Sequence, residues 1–213
     1  MAATGAVVVA AGSGDRYGGP KQFLELGGVR LVDRAVAACR RHCDEVVVVL
    51  PPGTVWDGPT VDAAVGGGAT RSASVRSGLA ALSARVDVVV VHDAARPLVD
   101  DDLFARVIAA VRDGADAAVP GVPVADTVKR VVGDRVVETV DRTGLVAVQT
   151  PQAFRVEALR AAHADSADAT DDAGLVERAG GRVVVVPGSA TNFKITTPAD
   201  LVVAGHLVEE AAP

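Results

Sequence analysis

The residues best suited to chemistry begin near the start of the chain, where the apolar run Ala6 to Ala11 leads into Gly12, Ser13 and Gly14, followed by Arg16, Pro20 and Lys21. A short buried strand that feeds a glycine turn presents backbone N–H groups to an anion, and two cations follow within reach of the same charge. The stretch reads as a phosphate cradle with its own counter-charges. A second candidate is Asp93, directly after the valine-rich segment Asp87 to His92 and shortly before Arg96. Open α/β sheets collect ligands at the carboxyl ends of their strands, where this acid belongs. A carboxylate there can hold Mg²⁺, orient a sugar hydroxyl or fix Arg96. Two more cations, Arg142 and Lys194, stand far along the chain. Phosphoryl or nucleotidyl transfer needs little covalent chemistry from a protein and much positioned positive charge, and this inventory suits that class.

Other owners of glycine loops are excluded by spacing. A dinucleotide fold wants G-x-G-x-x-G and an acid after the second strand; here Gly18 falls one position late and the second strand ends in Leu50-Pro51. No GK[ST] follows the glycines, and G-x-S-x-G does not occur. His42, His92, His163 and His206 have no ligand spacing, and Cys39 and Cys43 read as buried free thiols rather than a zinc site. A net charge of −6 argues against general affinity for nucleic acid or anionic membrane. The first apolar run is too short to span a bilayer and lacks a basic n-region, so a cytoplasmic protein is expected.

Positioning these residues takes a scaffold. With 213 residues, 49% of them hydrophobic and only 3% aromatic, the Val- and Ala-rich chain is expected to form one α/β domain, a mostly parallel sheet flanked by helices. Strands are predicted over Ala6–Ala11, Glu45–Leu50, Asp87–His92, Ala115–Pro120 and Arg182–Pro187. Helices are predicted over Leu31–Arg41, Ser72–Leu82, Asp100–Arg112 and Val156–Ala164, from Thr170 through Arg178, and from Thr197 with Pro198 at the first helical position. Gly66-Gly67-Gly68 before Thr70 to Ser74 suits equally a flexible loop with a serine N-cap and a loop that approaches a ligand closely. Gly133-Asp134 joins the alternating segments Asp126–Val132 and Arg135–Val140 into a hairpin arm, over about residues 124–141, that fits contact between subunits of a homo-oligomer.

Five motifs then fall in one order: AAGSGDR with PKQF at Pro20 to Phe23, HDAARP at His92 to Pro97, VDRTGLVAVQTPQAF at Val140 to Phe154, TDDAGLVE at Thr170 to Glu177, and NFKITTP at Asn192 to Pro198. Almost end to end, the chain resembles the 2-C-methyl-D-erythritol 4-phosphate cytidylyltransferase family of the non-mevalonate isoprenoid pathway. The resemblance implies a Rossmann-like nucleotidyltransferase fold, a homodimer built with the hairpin arm, CTP as co-substrate with Mg²⁺ as cofactor, and release of pyrophosphate. By motif, Arg16 and Lys21 would stabilise charge on the α-phosphate and the leaving pyrophosphate. Arg142, from the neighbouring subunit, and Lys194 would position methylerythritol phosphate. Asp93, Arg96, Thr127, Thr150 and Thr170 would complete that pocket. The nucleotide would lie on Ala10, Ala11, Gly12, Ser13 and Gly14, with Gly67, Gly68, Arg71 and Ser74 reading the cytosine and Asp93 and Ala94 near the sugar. Asp93 is also the candidate for Mg²⁺, directly or through water.

Two departures from the family pattern stand out: a compact Tyr17-Gly18-Gly19 between Arg16 and Lys21, and Ala69-Thr70 where an acid often follows the second glycine group. Cytidylyl transfer to another polyol phosphate such as ribitol 5-phosphate is the neighbouring enzymatic reading, and an idle nucleotide-binding dimerisation module is the reading from another class. The end at Pro213 leads to the expectation of a stand-alone form without a fused downstream cyclase.

Overall fold

The structure is a computed structural model and describes residues 3–14, 17–164, 169 and 171–210. Its centre is four parallel strands, three of them valine-rich: β1 (Ala3–Val9), with two-residue β2 (Glu25–Leu26) and β3 (Val29–Arg30) forming a separate ribbon, then β4 (Glu45–Leu50), the short β5 (Ala63–Gly66) and β6 (Val86–Asp93). β1 pairs in parallel with β4 on one side and β6 on the other, and β5 is parallel to β4. α1 (Leu31–His42) joins β3 to β4, and α2 (Arg71–Ala81) joins β5 to β6. The chain therefore leaves β1 in one direction and returns beside it in the other. That reversal makes the β1–β6 boundary the topological switch point of the sheet.

The valine runs are buried on both faces because helices cover both. Ala6, Val8, Val46, Val48, Val88 and Val90 pack against α1 and against α3 (Asp101–Arg112). The intervening Val7, Val47, Val49, Val89 and Val91 pack against α2, α4 (Val156–Ala162) and α5 (Ala173–Arg178). A strand with two apolar faces reads as a continuous run rather than an alternation, which is why the period-two signal is missing. Gly78 lets α2 close on the sheet, since a Cβ there would lie 2.4 Å from Val7.

The second half of the sheet is mixed. β7 (Ala117–Pro123) carries β12 (Val183–Pro187) in parallel on one edge. On its other edge lie β10 (Val146–Val148) and β11 (Gln152–Arg155), both antiparallel, and β11 also pairs with β6. The expected hairpin is present as β8 (Val128–Val132) and β9 (Arg135–Val140), a sheet of its own turning at Gly133-Asp134. Both cysteines are buried and free; burial pushes the Cys43 thiol up to about 12. Finally, α6 (Pro198–Glu210) begins with Pro198 at its first position. Ahead of it, Thr197 Oγ1 accepts from the Asp200 amide while Asp200 accepts from the Thr197 amide, a reciprocal capping box.

Among the described residues no helix is long and apolar enough to cross a membrane. Most boundaries agree with the sequence-based expectation to within two or three residues; β5, β10, β11 and the β2–β3 ribbon are additional to it.

Candidate active site

Val9 and Asp93 stand opposite each other at the carboxyl ends of β1 and β6, and the Ala94 amide donates to Val9 O at 3.1 Å. Around them opens a cavity of about 500 Å³. One wall is the backbone from Ala10 to Gly14 with Lys21 and Gln22; a second runs from Gly68 to Arg71 with Ser74; the third is Asp93 to Ala95 with Lys194. This is the crevice where parallel α/β sheets take ligands.

The glycine loop is shaped by its own contacts. Gly14 has φ +74°, and a Cβ on it would sit 1.7 Å from Gly19 O, so only glycine permits the curl that brings the Tyr17 and Gly18 amides to Gly14 O at 2.8 and 3.0 Å. Gln22, buried beneath the short 3-10 turn Lys21–Phe23, donates from Nε2 to Gly12 O at 3.1 Å and ties the loop to the turn that carries Lys21. The opposite wall is equally tight. A Cβ on Gly67 would lie 2.3 Å from the Ala11 Cβ, so the two glycine segments touch behind the cavity. Ser74 Oγ donates to Thr70 O and accepts from the Gly68 amide. Thr70, not a serine, caps α2, accepting from the Ala73 amide at 3.1 Å. The glycine run is thus both a capped helix entry and a cavity wall.

Charge concentrates at the third wall. Lys194 Nζ lies 2.6 Å from Asp93 Oδ2, and Arg71 reaches Oδ1 at 3.4 Å. Burial opposes a charge on Asp93, yet Arg71 and Lys194 outweigh it and hold the carboxyl well below the usual carboxylate range. Lys194 is brought in by a strap whose anchors are Ile195, fully buried with its amide on Ala95 O, and Asn192, whose Nδ2 donates to Thr150 O.

Asp93 is also held from behind. Its amide donates to Thr150 Oγ1 at 3.0 Å, and that hydroxyl bonds to His92 Nδ1 at 3.1 Å. His92 Nε2 meets Arg96 O at 3.1 Å, so Nε2 carries the proton and Nδ1 accepts. Burial pushes the His92 pKa down to about 4, which keeps the ring neutral as this pattern requires.

The family profile described as 2-C-methyl-D-erythritol 4-phosphate cytidylyltransferase matches residues 4–210. The chain belongs to that family. Among curated proteins, the cytidylyltransferase of Rhodococcus opacus is 49% identical over a 218-position alignment that covers 97% of this chain and 96% of that protein. A bifunctional enzyme IspD/IspF of Clavibacter michiganensis is 50% identical over a 225-position alignment that covers 98% of this chain and 55% of that longer protein. The crystal structure of the Thermus thermophilus cytidylyltransferase superposes with a TM-score of 0.84 at 42% identity, covering 98% of this chain and all of that one. Membership makes the chain a CTP-dependent nucleotidyltransferase of isoprenoid synthesis.

The cytidylyltransferase cavity gathers Ala10, Ala11, Gly12, Ser13, Gly14, Lys21, Gly68, Arg71, Ser74, Asp93, Ala94 and Lys194, with Gly67 packed just behind. Arg16 and Thr170 lie outside the described residues. Thr150 and Arg96 are not on the cavity wall: Thr150 supports Asp93, and Arg96 donates to the carbonyls of Asn192 and Val148. Thr127 and Arg142 are exposed at the base of the arm, away from this chain's own cavity; Arg142 Nη1 donates to the carbonyls of Val124 and Ala125. Sequence reasoning passed over Gln22, the supporting role of His92, and the buried pair Asp172 and His163 described below. None of these carries a local spacing signal.

Proposed function

We propose that this chain transfers the cytidylyl group of CTP to 2-C-methyl-D-erythritol 4-phosphate, giving 4-diphosphocytidyl-2-C-methyl-D-erythritol and pyrophosphate. The observation that carries the reading is the single cavity in which a glycine cradle, Lys21 and the Asp93–Lys194 pair meet at the switch point of the sheet. An oxygen of the acceptor phosphate attacks the α-phosphorus in line, and the bond from that phosphorus to the bridging oxygen of pyrophosphate breaks. Backbone amides of the cradle and Lys21, with Arg16, meet the charge that grows on the α-phosphate and leaving group. Arg71, Gly67, Gly68 and Ser74 hold the cytosine. Asp93 and Ala94 lie at the ribose, and Lys194 faces the acceptor phosphate.

Asp93 would help to hold Mg²⁺, which would offset the negative charge of the triphosphate. Asp93 is the only carboxylate among the described residues of the cavity wall, both its oxygens already face cations, and no described cluster of three His, Cys, Asp or Glu side chains can hold a metal. Such a donor set suits an ion carried on triphosphate oxygens, with one carboxylate or its bound water beside it.

The acceptor half is completed by a second copy. The arm β8–β9 exposes Val131, Val132, Val136 and Val137, an apolar surface for a partner subunit, and it carries Thr127 and Arg142 at its base. We read residues 1–213 as one cytidylyltransferase domain acting as a homodimer in the cytoplasm. The deciding experiment compares pyrophosphate release from MgCTP with methylerythritol phosphate and with ribitol 5-phosphate. Turnover with the first alone is expected; equal or reversed turnover removes this acceptor, and no release with either removes the reaction.

A further inference from the structure

Behind Arg71 lies a chain of buried charge that the cavity does not use. Arg71 occupies the first position of α2, where the helix dipole disfavours a cation. It is held there by two carboxylates: Asp93 in the cavity, and Asp172 on the far side at 2.6 Å from Nη1. Asp172 is fully buried, and its second oxygen meets His163 Nε2 at 3.0 Å, itself almost wholly buried at the end of α4.

Two facts separate this pair from ordinary packing. First, Asp172 occupies the N-cap position of α5 and makes no capping bond; the neighbouring Asp171 takes that work, accepting from the Gly174 amide. An aspartate at an N-cap normally caps, so its carboxylate is diverted to Arg71 and His163. Second, a buried ion pair adds little stability over apolar side chains of the same volume, so stability alone is a weak reason to place Asp172 against Arg71.

We propose that Asp172, oriented by His163, is a positioning residue that fixes the Arg71 guanidinium toward the cytidine half of the cavity. With Asp172 on Nη1, the fork of Arg71 can rotate neither away from Asp93 nor into solvent. The inference rests on the reading of Arg71 as a nucleotide contact.

Its test is calorimetric titration of MgCTP, without acceptor, into wild-type protein and into Asp172→Asn, Arg71→Ala and the double variant. Asp172→Asn is expected to weaken CTP binding about tenfold, as loss of a supporting partner does. The double variant is expected to bind no more weakly than Arg71→Ala alone, because the aspartate acts only through the arginine. In steady state, the KM for CTP rises while that for the acceptor stays within about twofold. Should Asp172→Asn fail to fold, His163→Gln serves as the second variant, with a smaller loss of CTP affinity that again vanishes in the Arg71→Ala background. Multiplying losses, unchanged CTP affinity in either variant, or equal rises in both KM values overturn the proposal. Unchanged CTP affinity in Arg71→Ala overturns the reading of Arg71 beneath it as well.

Discussion

Acidification should loosen the strand end that carries Asp93, through His92. In the folded chain its ring is neutral, with Nδ1 accepting from Thr150 and Nε2 donating to Arg96 O, and burial lowers its pKa from 6.5 to about 4. In the unfolded chain the same imidazole takes up a proton below its ordinary value. Between those two values the unfolded state therefore binds more protons, and stability falls as pH falls. At about 1.4 kcal/mol per pH unit, the full shift is worth about 3 kcal/mol, of which about 2 kcal/mol is lost between pH ~7.5 and pH ~5. The lowered carboxyls of Asp93 and Asp200 act in the same direction but only below their ordinary value of 3.8, so this window isolates the imidazole. The assay is urea unfolding across the window for wild type and for His92→Gln, which starts less stable and has no ring to titrate. A wild-type slope that the variant lacks is expected. A flat wild-type profile, or the same slope in both proteins, refutes the argument.

Three further outcomes follow from the site. Lys21→Ala should depress kcat more than it raises the KM for CTP, because the charge it meets is greatest in the transition state; a selective KM effect in steady-state assays would make Lys21 a ground-state binder. Gly67→Ala drives a methyl into Ala11 and should cost about 1–3 kcal/mol in denaturant unfolding and weaken CTP binding; unchanged affinity would show that the wall yields freely. Mixing Lys21→Ala and Arg142→Ala proteins, each inactive alone, should restore partial pyrophosphate release through hybrid dimers. No recovery after verified subunit exchange counts against an arginine supplied across the interface.

What could be read from the chain and what could not divide along a physical line. The bounds of β4 are legible because a short β-branched run is closed at once by Pro51-Pro52, and those of the hairpin because Gly133-Asp134 separates two β-branched segments. β11, by contrast, exists because β6 and β7 leave a gap that its four residues bridge on both edges, a property of the neighbours rather than of Gln152–Arg155. The site follows the same division. Gly12 to Gly14, Lys21 and Asp93 announce themselves through the residues beside them. Thr150 looked like a ligand contact within its motif, yet the fold turns its hydroxyl to the Asp93 amide and His92. Asp172 looked like a helix start, and only the arrival of Arg71 from another part of the chain gives it a second occupation.

That distance has a consequence for how the protein comes into being. Asp93 and Lys194 are 101 residues apart in sequence, and so are Arg71 and Asp172. During synthesis at about 5–20 residues per second, the strands β1, β4 and β6 are complete roughly 4–16 s before Asp172 emerges and roughly 5–20 s before Lys194 does. The central sheet can be assembled while Asp93 and Arg71 still lack the cation and the anion that later flank them. Closing loops of this length costs entropy that only late, specific contacts return. A nascent chain thus acquires its scaffold first and its competence last, when the strap carrying Lys194 crosses the sheet's carboxyl edge.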